Sequence, residues 1–305
     1  MLLRSSALLV LTGLIWSLAS GQDDQATFRS DTRLVVLYAS VVDSKGRLLT
    51  DLPQTAFKVF ENGAEQQLRM FRQEDVPVSL ALVIDNSGSM RNKRQKVEAA
   101  AVAMVKASNP RDEVMVVNYN DEAYEDVPFT SDMKRMEEGL TRIDARGGTA
   151  MLDAVSMTLD RLRDKGKRDK KVLMLITDGN DNASQTKLEA LLRKVSDSSN
   201  QIVIHCIGLL EEEERREARK AKASVEKLAT ATGGLYYFPK DLNEVEKISL
   251  EVAHDIRNQY VLGYSPSLQA LDGSFRQIKV TANGPNRPTV RTRSGYFAVE
   301  KKPNS

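Results

Sequence analysis

Cysteine is all but missing from this chain: of 305 residues, only Cys206 carries a thiol. One thiol permits no internal disulfide, so the folded chain must rest on packing alone. Cys206 lies in the apolar run IVIHCIGLL and reads as core rather than as a reactive group. Histidine is nearly as scarce. His205 shares that run, His254 falls on a helical segment further on, and both read as structural. The patterns H-E-x-x-H, G-x-S-x-G and G-x-x-x-x-G-K-[ST] are all absent, which removes the corresponding zinc-protease, serine-hydrolase and P-loop readings. A strong net charge is missing too. A formal +2 is too small to argue for nucleic acid or an anionic membrane surface.

The length leaves room for roughly two domains. With 41% apolar and 28% charged residues, the composition is that of an ordinary globular chain with a core to bury. The first twenty residues stand apart. Arg4 precedes an apolar stretch from Ala7 to Trp16, and Ser17, Ala19, Ser20 and Gly21 follow. That order is the one a secretory signal peptide has, with cleavage expected near Ser20–Gln22. About ten apolar residues fall short of the roughly 20 that a spanning helix needs, so no stable membrane span is expected after cleavage. The expected location is the periplasm or the extracellular space.

Three zones follow. Residues 30–76 read as an N-terminal β arm, with strands near Leu34–Val42, Phe57–Phe60 and Leu68–Phe71, and Asn62-Gly63 signals a hairpin turn. Residues 77–256 alternate strands with helices. The apolar runs Val78–Ile84, Val114–Tyr119, Val172–Ile176 and Ile202–Ile207 suit strands buried on both faces of a parallel sheet. Helical spacing puts Val97, Ala101, Met104 and Val105 on one face, then Leu152, Val155, Leu159 and Leu162, then Leu188, Leu191, Leu192 and Val195. The segment EEEERREARK at 211–220 reads as a solvated helix, and Tyr236, Tyr237 and Phe238 as a buried strand. A last helix over about 241–258 groups Val245, Ile248, Val252 and Ile256. Residues 259–300 return to a β pattern, a C-terminal arm with strands near Tyr260–Tyr264, Phe275–Thr281 and Val290–Val299. Neither arm has enough strands to bury a face alone, so the two are expected to join into one β-sandwich, with the α/β part as an insertion between them.

Asp85 ends the first central strand and opens D-x-S-x-S with Ser87 and Ser89; GGT at 147–149 and TDG at 177–179 lie further along. In an open α/β sheet, ligands bind beyond the carboxyl ends of the strands, where Asp85 and Asp178 both emerge. Ser87 and Ser89 alternate in an extended loop and share one side. Gly147 and Gly148 permit close backbone approach beside Thr149. Two carboxylates and three hydroxyls from three loops suit one hard divalent cation, Mg²⁺ first and Mn²⁺ or Ca²⁺ as alternatives.

This arrangement resembles the von Willebrand factor A domain with its metal-ion-dependent adhesion site, over about 180 residues and with all three motif parts in order. The flanks DLPQTAFKVFENG, EDVPVSLALVIDNSGSM and IRNQYVLGYSP resemble the exported von Willebrand factor A-related bacterial proteins of acidobacterial type. The resemblance implies a Rossmann-like, doubly wound, mainly parallel α/β sheet. It implies that Ser87, Ser89 and Thr149 contact the metal directly or through water, and that Asp85 and Asp178 hold it largely through bound waters. Asn180 and Asp181 fall outside the pattern, and no acidic pair follows Ser89 to make a second metal site. The function so implied is a non-enzymatic adhesion or protein-binding module that captures an Asp or Glu of a protein partner, with no nucleic acid involved. The alternatives are a scaffold or chaperone-like assembly subunit of an envelope complex, or a metal-assisted hydrolase.

Overall fold

The computed structural model describes residues 33–299 apart from 74, 142–144, 180, 199–200 and 211–214. The expected signal peptide over 1–20 and the closing KKPNS lie outside the described residues. Among those described, no helix is long and apolar enough to cross a membrane.

The chain opens with β1 (Val35–Val42), β2 (Phe57–Glu61), β3 (Ala64–Gln66) and β4 (Leu68–Arg72). β2 and β3 form the expected hairpin, with Glu61 opposite Ala64 and with positive φ at Asn62 (49°) and Gly63 (83°). Such a turn needs both central residues in the left-handed region, which Asn tolerates and Gly adopts freely.

The central part contains β5 (Val78–Asp85), α1 (Arg94–Lys106), β6 (Glu113–Tyr119), β7 (Ala123–Thr130), α2 (Met133–Thr141), α3 (Met151–Lys165) and β8 (Lys170–Thr177). It continues through α4 (Leu188–Val195), β9 (Ile202–Gly208), α5 (Arg215–Thr232), β10 (Tyr236–Tyr237) and α6 (Glu244–Arg257). A six-stranded sheet in the order β10-β9-β8-β5-β6-β7 runs through it, parallel except for β7. Alternate residues of each strand enter opposite cores, as the pleat requires. Leu80, Leu82 and Ile84 of β5 pack with Val97, Ala101 and Met104 of α1 and Val245, Ile248 and Val252 of α6. Ala81 and Val83 pack with Val155 and Leu159 of α3, Leu191 of α4 and Val225 and Leu228 of α5. The sheet is therefore doubly wound.

Three elements depart from the sequence pattern. β7 and α2 carry no readable signature. β7 is a half-buried edge strand with Glu125, Asp126 and Pro128 in it, and α2 is short, with Met136 and Leu140 its buried hydrophobics. An edge strand needs no continuous apolar run and tolerates proline. Tyr236 and Tyr237 do form a strand, but Tyr236 is 39% exposed, because β10 closes the open edge of the sheet and its outer side meets solvent. Within the solvated-helix reading, 211–214 lie outside the described residues, and α5 turns amphipathic from Ala221 onward.

The chain closes with β11 (Tyr260–Tyr264), β12 (Phe275–Ala282), β13 (Thr289–Arg291) and β14 (Gly295–Phe297). These strands pair with those at the start of the chain. One sheet has the order β13-β1-β11-β4 and the other β14-β12-β2-β3. The stretch Val290–Val299, which reads as one strand, is two strands in different sheets. Leu37, Ala39 and Val41 of β1, Phe57 and Val59 of β2, Leu262 of β11 and Val280 of β12 share one core between the sheets.

A carboxylate crosses that core. Glu61 of β2 is 3% exposed, and its Oε2 accepts hydrogen bonds from Tyr264 of β11 and Tyr296 of β14, each at 2.7 Å. The two phenols donate to one charge in a dry interior, where charge-assisted bonds are stronger than neutral ones. Tyr264→Phe leaves that carboxylate with one of its two phenol donors. The expected cost is about 1–3 kcal/mol, read by urea unfolding; a loss within a few tenths of a kcal/mol would mean that water replaces the phenol.

His205 of β9 is fully buried, and its Nδ1 accepts a hydrogen bond from the Leu235 amide at 3.1 Å, which fixes the approach to β10. Burial pulls its pKa down to about 4; Arg291 and Lys170 act in the same sense and Asp255 against it. The unfolded chain therefore binds a proton that the folded chain refuses. Stability from this group is complete above about pH 6.5 and is lost as pH falls towards 4, by about 3 kcal/mol. Urea titrations from pH 7 to 4 should show a shallower decline in His205→Gln than in the parent chain.

Candidate metal centre

Strand register builds the site. Ile84 faces Ile176 across the parallel β5–β8 pair, so the chain leaves these neighbouring strands together, at Asp85 and Thr177. Asp85 has no solvent exposure. Its Oδ1 accepts the Ser87 amide at 2.9 Å, and its Oδ2 accepts the Thr177 hydroxyl at 2.8 Å. The first bond bends the chain out of the strand. The second ties the D-x-S-x-S loop to the T-D-G loop.

Beyond that knot the hydroxyls line up. Ser87 Oγ lies 3.1 Å from Ser89 Oγ, and Ser89 Oγ donates to Asp178 Oδ1 at 2.8 Å. The third loop reaches them through the Gly88 amide, which donates to the Gly147 carbonyl at 3.2 Å. Gly147 has φ 75°, and a Cβ there would sit 2.1 Å from an oxygen of Asp121; one on Gly148 would sit 2.8 Å from Asn182 Oδ1. At 147 the positive φ strains any other residue, and at 148 a Cβ would push aside the ends of the Asn182 and Asp121 side chains. The Gly148 amide donates to Asp121 at 2.7 Å and the Thr149 amide to Asn182 at 2.9 Å, which holds the loop down. Thr149 Oγ1 comes within 3.6 Å of the point where a Gly179 Cβ would stand. Asp85, Ser87, Ser89, Thr149 and Asp178 thus meet at one edge of the sheet, from three loops.

Asp181 has a structural task instead. Its Oδ2 accepts the Leu152 amide at 2.8 Å and the Ser184 hydroxyl at 2.6 Å, so it caps the start of α3. Asn180 lies outside the described residues.

Lys93 is the residue that the sequence pattern did not single out. Its Nζ donates to Asp178 Oδ2 at 2.8 Å, with side-chain exposures of 8% for the lysine and 0% for the aspartate. It stands just ahead of α1, where the helix dipole disfavours a cation, and the Asp178 carboxylate offsets that. Thr177 also escaped notice as more than a motif letter, although a hydroxyl next to Asp178 at a strand end is a readable signal. Burial pushes the Asp85 pKa up to about 6; the charge of Asp178 adds to this, while hydrogen bonds from Ser87 and Thr177 oppose it. A carboxylate held so far from water gains from a nearby cation.

The donor set fits a hard divalent ion. All five side chains offer oxygen, the glycines leave the space clear, and the two carboxylates supply two negative charges. Among the described residues, no cluster of three or more His, Cys, Asp or Glu is placed to hold a metal, so hydroxyls would have to complete any such shell.

The Lys93–Asp178 pair is buried, so its parts should couple strongly. A double-mutant cycle of Lys93→Met and Asp178→Asn, measured by urea unfolding in chelator, should give a coupling energy above about 1 kcal/mol. Lys93→Met alone should cost about 3 kcal/mol, because it strands a buried charge. Additive losses would show that the pair does not form in solution.

Residues 80–180 match the family model of the von Willebrand factor type A domain. Comparison with curated proteins finds no match. Among solved structures, a von Willebrand factor type A protein from Catenulispora acidiphila aligns with TM-score 0.51 and 14% identity, over 89% of this chain and 75% of that one. The D319A mutant of the PilB minor pilin from Streptococcus sanguinis aligns with TM-score 0.50 and 12% identity, over 61% and 63%. The BatB protein from Bacteroides thetaiotaomicron, described as a conserved hypothetical protein, aligns with TM-score 0.46 and 16% identity, over 59% and 98%. At such identities the first two likenesses establish the fold and nothing finer. Match and sheet order agree: the central part of this chain has the fold of a von Willebrand factor type A domain.

Proposed function

We propose that the protein is an exported, non-enzymatic binding module that uses one divalent cation, Mg²⁺ or else Mn²⁺ or Ca²⁺, to capture an Asp or Glu side chain of a protein partner. The observation that carries this reading is the meeting of Asp85, Ser87, Ser89, Thr149 and Asp178 at the edge of the sheet where α/β folds bind ligands. Export rests on the signal-like order of the first twenty residues.

Each residue has a task in this reading. The hydroxyls of Ser87, Ser89 and Thr149 would hold the cation as neutral donors. Asp85 and Asp178 would balance its charge from behind, each fixed by its own hydrogen bonds. A cation held mainly by neutral oxygens supplies a Lewis-acidic position for one more anionic oxygen. Lys93 sets the threshold. While its ammonium bonds Asp178, that carboxylate is shared between two positive charges, which weakens its hold on the second.

Titration calorimetry with Mg²⁺ and Mn²⁺ should show one ion bound by the parent chain. Asp85→Ala and Ser87→Ala should each weaken it by about tenfold or more. Lys93→Met should tighten it severalfold. Partner capture, probed with envelope extract, should depend on the ion and vanish in chelator. Capture indifferent to chelator and to Ser87→Ala would move the binding surface elsewhere, most simply to the two antiparallel sheets.

A further inference from the structure

At the other edge of the central sheet, a cavity of about 500 Å³ lies among the start of β8, the start of β9, the end of α3 and the residues ahead of β1. This is the size of a small-molecule site, larger than one inorganic ion requires. Its lining includes six cationic side chains, Arg33, Arg163, Lys167, Arg168, Lys171 and Arg293, and one acidic residue, Asp169.

We propose that this cavity binds a small molecule bearing an oxyanion, phosphate or carboxylate. Two features go beyond a count of charges. Arg33 Nη1 and Nη2 and Arg168 Nε are buried and have no hydrogen-bond partner among the described residues. A buried guanidinium edge without an acceptor costs free energy, and phosphate and carboxylate are the groups whose paired oxygens match it. The second feature is rigidity. The Arg33 guanidinium lies 5.0 Å from the Tyr296 ring centroid and that of Arg293 5.7 Å, so both stack on a phenol that Glu61 holds in place. The Lys167 amide donates to Glu113 Oε1 at 2.6 Å, the Arg168 amide to Ser79 Oγ at 3.0 Å, and Ser79 Oγ itself to Glu113 at 2.7 Å. Arg168 therefore sits on backbone fixed from beneath and Arg33 against a ring held in place, so a ligand there need order little of the protein.

Other contacts restrict the count without reversing it. Arg163 is engaged by Asp160 and Asp164. The carbonyls that end α3, which would repel an anion, are partly taken: Leu162 by the Gly166 amide and Arg163 by Lys171 Nζ. Arg293 bonds the carbonyls of Gly295 and Asp197 and, although burial lowers its pKa to about 10, it stays charged at neutral pH. Leu34, Leu271 and Val299 supply apolar wall. The ligand is thus an oxyanion on a small, partly apolar body. The cavity shares no residue with the cation loops.

Titration calorimetry of the chain with inorganic phosphate, glycerol 3-phosphate and succinate separates the candidate groups. At least one should bind in the submillimolar range, with the organic phosphate ahead of the inorganic ion if the body contributes. Arg33→Gln and Arg168→Gln, both verified as folded by circular dichroism, should each weaken that binding at least tenfold. Chelator and Asp85→Ala should leave it unchanged. Arg168→Gln does not disturb the Tyr296 stack, so it keeps the test clean should Arg33→Gln fold poorly. No heat from any of the three at millimolar concentration, or equal affinity in the parent chain and Arg168→Gln, would overturn the proposal.

Discussion

Asp85 is a carboxylate without solvent contact, and the site loops are arranged around that burden. A buried carboxylate persists in a fold only when its oxygens are met by donors. One oxygen takes the Ser87 amide, which turns the chain out of β5, and the other takes the Thr177 hydroxyl, which ties β5 to β8. From that knot Ser87 and Ser89 are fixed relative to Asp178, and Gly88 is in reach of Gly147. Replace the carboxylate and three loops lose their common reference. The raised pKa of Asp85 is the cost of this arrangement, which the bonds from Ser87 and Thr177 offset in part and a positive charge nearby would offset further.

Most of the central sheet was legible because parallel strands covered on both faces leave near-continuous apolar runs. Val78–Ile84 and Val172–Ile176 could hardly be read otherwise. The site residues were legible for a related reason: strand ends fix where Asp85 and Asp178 emerge, and Gly147-Gly148 marks a close approach that the structure explains by the positions of Asp121 and Asn182. What escaped was long-range and polar. Lys93 shows no sequence pattern that separates it from a surface lysine, since its partner is 85 positions away. The Glu61–Tyr264–Tyr296 cluster joins residues more than 200 positions apart. Edge strand β7 was lost because an edge needs no apolar signature.

The antiparallel sheets are more than appendages to the α/β part. Two residues separate α6 from β11, and one of them, Gln259, is buried and bonds Ser40 of β1. α6 packs on α1, and α1 starts next to Lys93. A continuous packed path therefore runs from Asp178 through α1 and α6 into the strand that pairs with β1. Packing continuity alone is not coupling; coupling needs an element with two arrangements that both ends bias. The Lys93–Asp178 bond is a candidate for such an element, because the cation proposed above would compete with the ammonium of Lys93 for one carboxylate.

The two edges of the central sheet are chemically opposite. At the carboxyl ends of the strands, two buried aspartates and a line of hydroxyls gather oxygen donors. At the amino ends, guanidinium and ammonium groups gather around a cavity whose lining, among the described residues, includes Asp169 as its one acidic side chain. A formal charge of +2 over the whole chain does not report such local groupings. Local charge acts over about a Debye length, near 8 Å at physiological ionic strength. A nearly neutral chain can therefore still offer the cation site proposed above at one edge and the proposed anion cavity at the other.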